Sequence, residues 1–243
     1  MIANSDAIVL KSIKYGDTSK IVTLYTKNYG KISVIAKGAR KPKNKFGSSL
    51  NPLSYINVNF YYKVNRDLQV LNNSDILEHF AMLDANYESL IATLILAEFV
   101  NNISQTNEVN EEIFELLLYT LRVINHNIKK AYNIIIKALI NLSAITGFAT
   151  SFNFNFDNIE NIVFSLEDGK PTMTLPKNNI YYNLDKLSLK ILNQLQQSTK
   201  EDIVELQISK DTFIDCIYFF QKYFNFHLGK NFKLKTINLL QQL

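Results

Sequence analysis

Residues 31–47, KISVIAKGARKPKNKFG, run an alternating apolar strand directly into a cluster of cations. Ile32, Val34 and Ala36 fall on one face of the strand, and Lys31, Ser33 and Ile35 on the other. The loop beyond carries Lys37, Arg40, Lys41, Lys43 and Lys45, punctuated by Gly38, Pro42 and Gly47. These breakers predict a mobile, exposed loop and not a charged helix face. With Lys31 just before it, the cluster makes six candidate phosphate-binding cations, which favours a binder of polyanions over an enzyme pocket.

Outward from this stretch, the first 80 residues repeat one pattern. Asp6–Ile13, Ser19–Thr26, Tyr55–Tyr62 and Leu68–Leu77 are short and rich in β-branched or aromatic residues, with turn residues such as Gly16, Asp17 and Gly30 between some of them. Five short strands at this spacing predict a small closed barrel of the OB type, the five-stranded barrel that binds oligonucleotides. Such barrels combine a cationic groove with aromatic faces on which bases stack. Tyr15, Tyr25, Tyr29, Phe46, Tyr55, Tyr61 and Tyr62 are the candidates, although aromatics at strand spacing more often fill a core.

From Asp84 the apolar period changes to that of helices. One helix carries Tyr87, Leu90, Ile91, Leu94 and Ile95, and a second begins near Asn110 with Glu111 and Glu112 in its first turn. A third starts near Lys130 and stops at Gly147. Their wide apolar faces predict a bundle. Between 150 and 182 the helical signal lapses into an irregular insertion with Gly169, Pro171 and Pro176 and a β-like piece at 162–165. Helical periodicity returns at Leu187–Leu195, weakly at 202–206, and strongly at Asp211–Leu228 between an N-cap at Ser209 and a stop at Gly229. The expected class is α+β: an OB-fold domain over 1–80, then an all-helical domain over 81–243 with the insertion at about 150–182.

Charge divides the same way. Residues 1–80 hold 12 Lys and Arg against 5 Asp and Glu, whereas the rest hold 14 against 17. A basic first third beside a slightly acidic remainder is the footprint of one module for nucleic acid and another for protein, although a solvated basic surface would show it too. The lone Cys216 excludes an internal disulfide, and no secretory leader precedes Asp6, so a reducing cytoplasmic location is expected. The most apolar run, Leu90–Val100, is too short to cross a bilayer.

Catalysis finds little support. His79, His126 and His227 are scattered, no phosphate loop or dinucleotide fingerprint is present, and Cys216 sits in the apolar run IDCIYFF, where a thiol is filler. One cysteine and dispersed histidines do not supply a zinc site. No catalytic residue, metal ligand or cofactor is expected.

The run AIVLKSIKYGDTSKIVTLYTKNYGKISVIAKGARKPKNKFGSSLNPL resembles the opening of the RecO family of bacterial recombination mediators, with its YGE-type turn and AKGARK-type loop. LILAEFVNNI in the first helix and FFQKYFNFHLGKNFKLKTINLLQQL at the end are similar to the family's body and its HLG-containing close. The resemblance implies an OB-fold joined to a helical body, no turnover, binding of single- and double-stranded DNA, and annealing of complementary strands. It also implies that with RecR the protein helps RecA replace single-stranded DNA-binding protein (SSB), whose C-terminal tail meets the helical body, all in the nucleoid-bearing cytoplasm. Lys37, Arg40 and Lys41 fall on the family's basic loop. Lys230, Phe232, Lys233 and Lys235 alternate charge and apolar surface as a pocket for the SSB tail would, or as a solvated helix-end set would. Many members carry a four-cysteine zinc module after the third helix; here TGFATSFNFNFDNIENIVFSLEDG keeps the glycine and the FSLEDG-like piece without the cysteines, so no zinc is implied. The other class that the residues allow is an OB-type RNA-binding or ribosome-associated adaptor.

Overall fold

The structure, a computed structural model, describes residues 1–154, 162–176, 178–198 and 206–243. The weak helical signal at 202–205 lies outside these residues. The chain forms two compact units, residues 1–128 and 129–242.

In the first unit, β1 (Ile2–Tyr15), β2 (Ser19–Thr26), β3 (Gly30–Ala36), β4 (Tyr55–Tyr61) and β5 (Leu68–Glu78) close a barrel in the order β1-β2-β3-β5-β4. The long β1 serves two partners. Ile2–Ile8 pair with β4, Ala7–Tyr15 pair with β2, and a bulge between Val9 and Lys11 bends the strand from one to the other. A parallel contact of β3 with β5 completes the closure. This is the OB-type barrel expected from the sequence. Its interior holds Val22, Leu24, Ile32, Val34, Ala36, Ile56, Val58, Phe60 and Leu71, alternate residues of each strand, as the period of two requires.

Ala7, Ile8, Val9 and Leu10 are all buried, so this part of β1 is covered on its outer face as well. The cover comes from α2 (Tyr87–Ile103) and α3 (Glu111–His126), preceded by the short α1 (Ala81–Ala85). Asn86 and Asn110 start α2 and α3 by accepting hydrogen bonds from the Ser89 and Ile113 amides. The first three helices therefore belong to the same compact unit as the barrel.

The second unit contains α4 (Ala131–Ile145), α5 (Lys186–Gln197), α6 (Lys210–Leu228) and α7 (Ile237–Gln241). Strands β6 (Val163–Ser165), β7 (Lys170–Thr172) and β8 (Tyr181–Tyr182) make a small sheet in the order β7-β6-β8. The described part of the insertion is thus a built element. Phe164 of β6 packs edge-on against Phe219 and Tyr223 of α6, with Phe152 beside it. At Gly169, φ is +64° and a side chain would press on the Tyr223 hydroxyl and the Ala149 carbonyl, so the turn needs glycine on both counts. Ser209 caps α6 through the Thr212 amide, and Gly229 ends it in the left-handed conformation.

Candidate nucleic-acid interface

The two ends of the barrel differ in chemistry. At one end the β2–β3 turn is locked to the helices. Lys27 pairs with Glu111 and Glu115 of α3 at 2.9 Å each. Lys31 donates to the carbonyls of Asn101 and Ser104 at 2.7 Å each, completing the C-terminal turn of α2 where the carbonyls lack helical partners. Gly30 sits at φ +62° against the Glu108 carbonyl, where any Cβ would overlap it. Lys31 is therefore a helix-capping side chain, set apart from the loop cations with which the sequence groups it.

The opposite end carries the β1–β2 turn and the loop after β3. These two segments bring together Lys14, Lys20, Lys37, Arg40, Lys41, Lys43 and Lys45, seven of the 12 cations in residues 1–80. Among the described residues none of the seven has a carboxylate within ion-pair distance. Lys14 and Lys20 stand directly opposite each other across the hairpin, a like-charge pair that costs stability in the free protein.

The basic loop is pinned rather than mobile. The Arg40 amide donates to the Thr18 carbonyl at 2.8 Å and its guanidinium to the Gly16 carbonyl at 2.9 Å, tying the loop to the β1–β2 turn. The Asn44 carboxamide accepts from the amides of Phe46 and Gly47 and donates to the Lys41 carbonyl. Ala39, Phe46 and Leu50 are buried in the barrel core, and the Lys45 ammonium lies over the Phe46 ring at 5.3 Å. Lys37, Arg40, Lys41, Lys43 and Lys45 are left exposed on this frame. The β4–β5 connection, with Lys63 and Arg66, lies at the other end beside the β2–β3 turn, where Tyr62 packs on Tyr29 at 5.1 Å, and the buried Gln69 carboxamide bonds to the backbone of Lys63 and Arg66.

Of the seven aromatic candidates, most are structural. Tyr25 is buried, donates to the Asn110 carbonyl, and is pushed up to about 12 by burial. Phe46 is in the core. Tyr29 and Tyr62 pack against Phe60, and Tyr55 donates to Asp6 and meets Phe114. Tyr15 and Tyr61 are the exposed ones, at 51% and 48%.

In the second unit, the chain after Gly229 runs back along α6. Asn225 brackets Phe232, accepting from its amide and donating to its carbonyl at 2.9 Å each, and Gln221 accepts from the Leu234 amide. Leu234 is buried and Phe232 half-buried, while Lys230, Lys233 and Lys235 are exposed. Among the described residues no three His, Cys, Asp or Glu gather as a metal site, and no helix is long and apolar enough to cross a membrane. Cys216 is buried and its thiol is pushed up by burial.

A closed five-stranded barrel of this topology, followed by a helical remainder, defines the class: an OB-fold protein with an α-rich body. Residues 1–80 match the family model described as Recombination protein O N terminal, and residues 85–236 match Recombination protein O C terminal. The chain belongs to the RecO family. It is 36% identical over 148 residues to a DNA repair protein RecO from Salinibacter ruber, covering 61% of this chain and 57% of that one. It is 38% identical over 149 residues to the protein of that name from Thermodesulfovibrio yellowstonii, covering 61% and 59%. A third, from Prosthecochloris aestuarii, is 27% identical over 187 residues, covering 76% and 68%. The matched part thus spans less than two thirds of the first two relatives.

Proposed function

We propose that this chain is a non-enzymatic DNA-repair and recombination mediator that binds DNA through the cationic end of its barrel and anneals complementary strands. The observation that carries this reading is the gathering of seven cations, unpaired with carboxylates among the described residues, at one end of an OB-type barrel, opposite the end where helices hold the β2–β3 turn. Lys37, Arg40, Lys41, Lys43 and Lys45 contact phosphates, and Lys14 and Lys20 extend the surface. Lys31 is excluded because its ammonium serves α2. Two strands neutralised on one surface lose much of their mutual repulsion, so pairing becomes the favourable next step.

The module over residues 81–243 recruits proteins: RecR, and through it RecA, and the C-terminal tail of SSB. The 230–235 strap, with Lys230, Lys233 and Lys235 around Phe232, suits a tail that ends in an apolar residue and a carboxylate. The place of action is the nucleoid-bearing cytoplasm. The test is annealing of complementary strands pre-coated with SSB. Reversing Lys37, Lys41 and Lys43 to Glu abolishes annealing at low salt with the thermal midpoint retained; an unchanged rate rejects the reading.

A further inference from the structure

The chain beyond the basic loop walls a cleft on the first unit. Residues 48–54 form one side, the end of β5 a second, and α1 with the first turn of α2 a third. Leu53, Ile76, Phe80, Leu83 and Leu90 line it with apolar groups, and Glu78, His79 and Asp84 with polar ones. The first side is fixed by the fold itself. Ser49 Oγ and Ser74 Oγ share a buried hydrogen bond at 2.6 Å, the Leu53 amide donates to the Val9 carbonyl at 2.8 Å, and the Val9 amide donates to the Ser54 carbonyl at 3.0 Å. These bonds hold Leu53 at φ +68°, a left-handed conformation rare for leucine, and strain of this kind collects where a site must keep its shape.

The segment that supplies the other two sides says what fits. Ile76, Leu77, Met82 and Tyr87 are 43% to 57% exposed within a run of 12 residues, an apolar density that marks a protein-binding surface. The same segment, residues 74–90, contains Asp75, Glu78, Asp84 and Glu88 and no Lys or Arg. Arg122 engages Glu78 at 2.8 Å, whereas the Asp84 side chain is 67% exposed and meets His79 at 3.5 Å. Such a surface repels phosphates and acidic peptides. A peptide that presents an apolar side chain between Lys or Arg residues complements it, the apolar group entering the cleft and the cations meeting the carboxylates around it.

We propose that this cleft docks a segment of a partner protein in which an apolar anchor is flanked by basic residues. The anchor lies among Leu53, Ile76 and Leu83, and a flanking cation pairs with Asp84. DNA binding as read above uses the cations upstream of the cleft and not the cleft itself, and the 230–235 strap, whose lysines suit an acidic tail, is built from other residues.

The full chain is titrated at one salt concentration with three labelled synthetic peptides, KRLLKR, EDLLED and KRSSKR, and binding is read by fluorescence anisotropy. KRLLKR is expected to bind with a Kd below about 1 mM, and each of the other two at least fivefold more weakly. Ile76→Thr, at an exposed strand position, and Asp84→Lys each weaken KRLLKR at least fivefold. Glu112→Lys makes the same charge change on an exposed residue of α3 that does not line the cleft, and leaves the affinity within twofold. No binding of KRLLKR, equal binding of either control peptide, or equal losses in Asp84→Lys and Glu112→Lys overturns the dock. Should Ile76→Thr melt early, Ser48→Tyr, which places a ring on the exposed side of the cleft, decides by the same criterion.

Discussion

Two lysines in this chain do the same structural job. Lys31 closes the end of α2 on the Asn101 and Ser104 carbonyls, and Lys137 closes the end of α5 on the carbonyls of Gln196 and Ser198. A cation there satisfies orphan acceptors and complements the negative end of the helix. Lys31→Met is expected to destabilise the protein by about 2 kcal/mol, the worth of charge-assisted hydrogen bonds in a partly buried place, and to leave DNA affinity within twofold. Denaturant midpoints and a binding isotherm check both halves; a large affinity loss without destabilisation would return Lys31 to the binding set. His227 is a different case. It stacks on Phe148 at 4.7 Å and touches Tyr223, its Nε2 has no hydrogen-bond partner among the described residues, and burial holds the imidazole below its ordinary range, opposed by a backbone hydrogen bond at Leu166. The folded value lies below the unfolded one, so charging favours the unfolded chain. Its contribution to stability is present above the unfolded value near 6.5 and is lost as pH falls below it. His227→Phe keeps the stacking and is expected to flatten the decline between pH about 7.5 and about 5.5, read from urea midpoints.

The elements were legible to different degrees for physical reasons. Strand positions followed from alternation, and β2 runs over Ser19–Thr26 as its pattern implies. The helix start near Asn110, the cap at Ser209 and the stop at Gly229 followed from local chemistry that needs no distant partner. The consecutive burial of Ala7–Leu10 was visible as an apolar run, but which helices cover it depends on contacts about 80 residues away. The site was half legible. Lys37–Lys45 crowd together in sequence, whereas Lys14 and Lys20 join them only because the barrel brings the β1–β2 turn to the end where β3 finishes. The pinning of the loop was hidden too, since Gly38 and Pro42 signal irregular backbone and say nothing of the Arg40 bonds to Gly16 and Thr18. The β1–β2 hairpin gives a test at this scale. Its opposed Lys14 and Lys20 repel, so Lys20→Glu is expected to raise stability by about 0.5 kcal/mol while weakening DNA binding at low salt. A variant that loses binding and stability together would mean that Lys20 serves the fold, and thermal melts beside binding curves separate the two.

At the scale of the whole molecule, charge is partitioned by chain region: the first 80 residues carry 12 cations to 5 anions and the remainder 14 to 17. Much of the affinity of such a protein for DNA comes from counterions released as phosphates are neutralised, so the dependence on salt counts the contacts. The slope of log affinity against log salt is about −0.9 per phosphate contacted for duplex and about −0.7 for a single strand. Lys63 and Arg66 lie in a connection some 20 residues beyond the basic loop and stand at the other end of the barrel, where the Gln69 bonds shape their backbone. If one polynucleotide runs along the barrel from the basic loop to the β4–β5 connection, replacing Lys63 and Arg66 by Ala shallows the duplex slope by about 2 of these increments, as removal of two loop lysines does. Should the slope stay put while the loop substitutions change it, the DNA path crosses the basic loop without reaching the β4–β5 connection, and the surface is confined to the basic-loop end. Because the slope is measured as a difference between variants, it reports on contact number even where the affinities themselves differ, and it tests how far the DNA extends along the barrel independently of strand annealing.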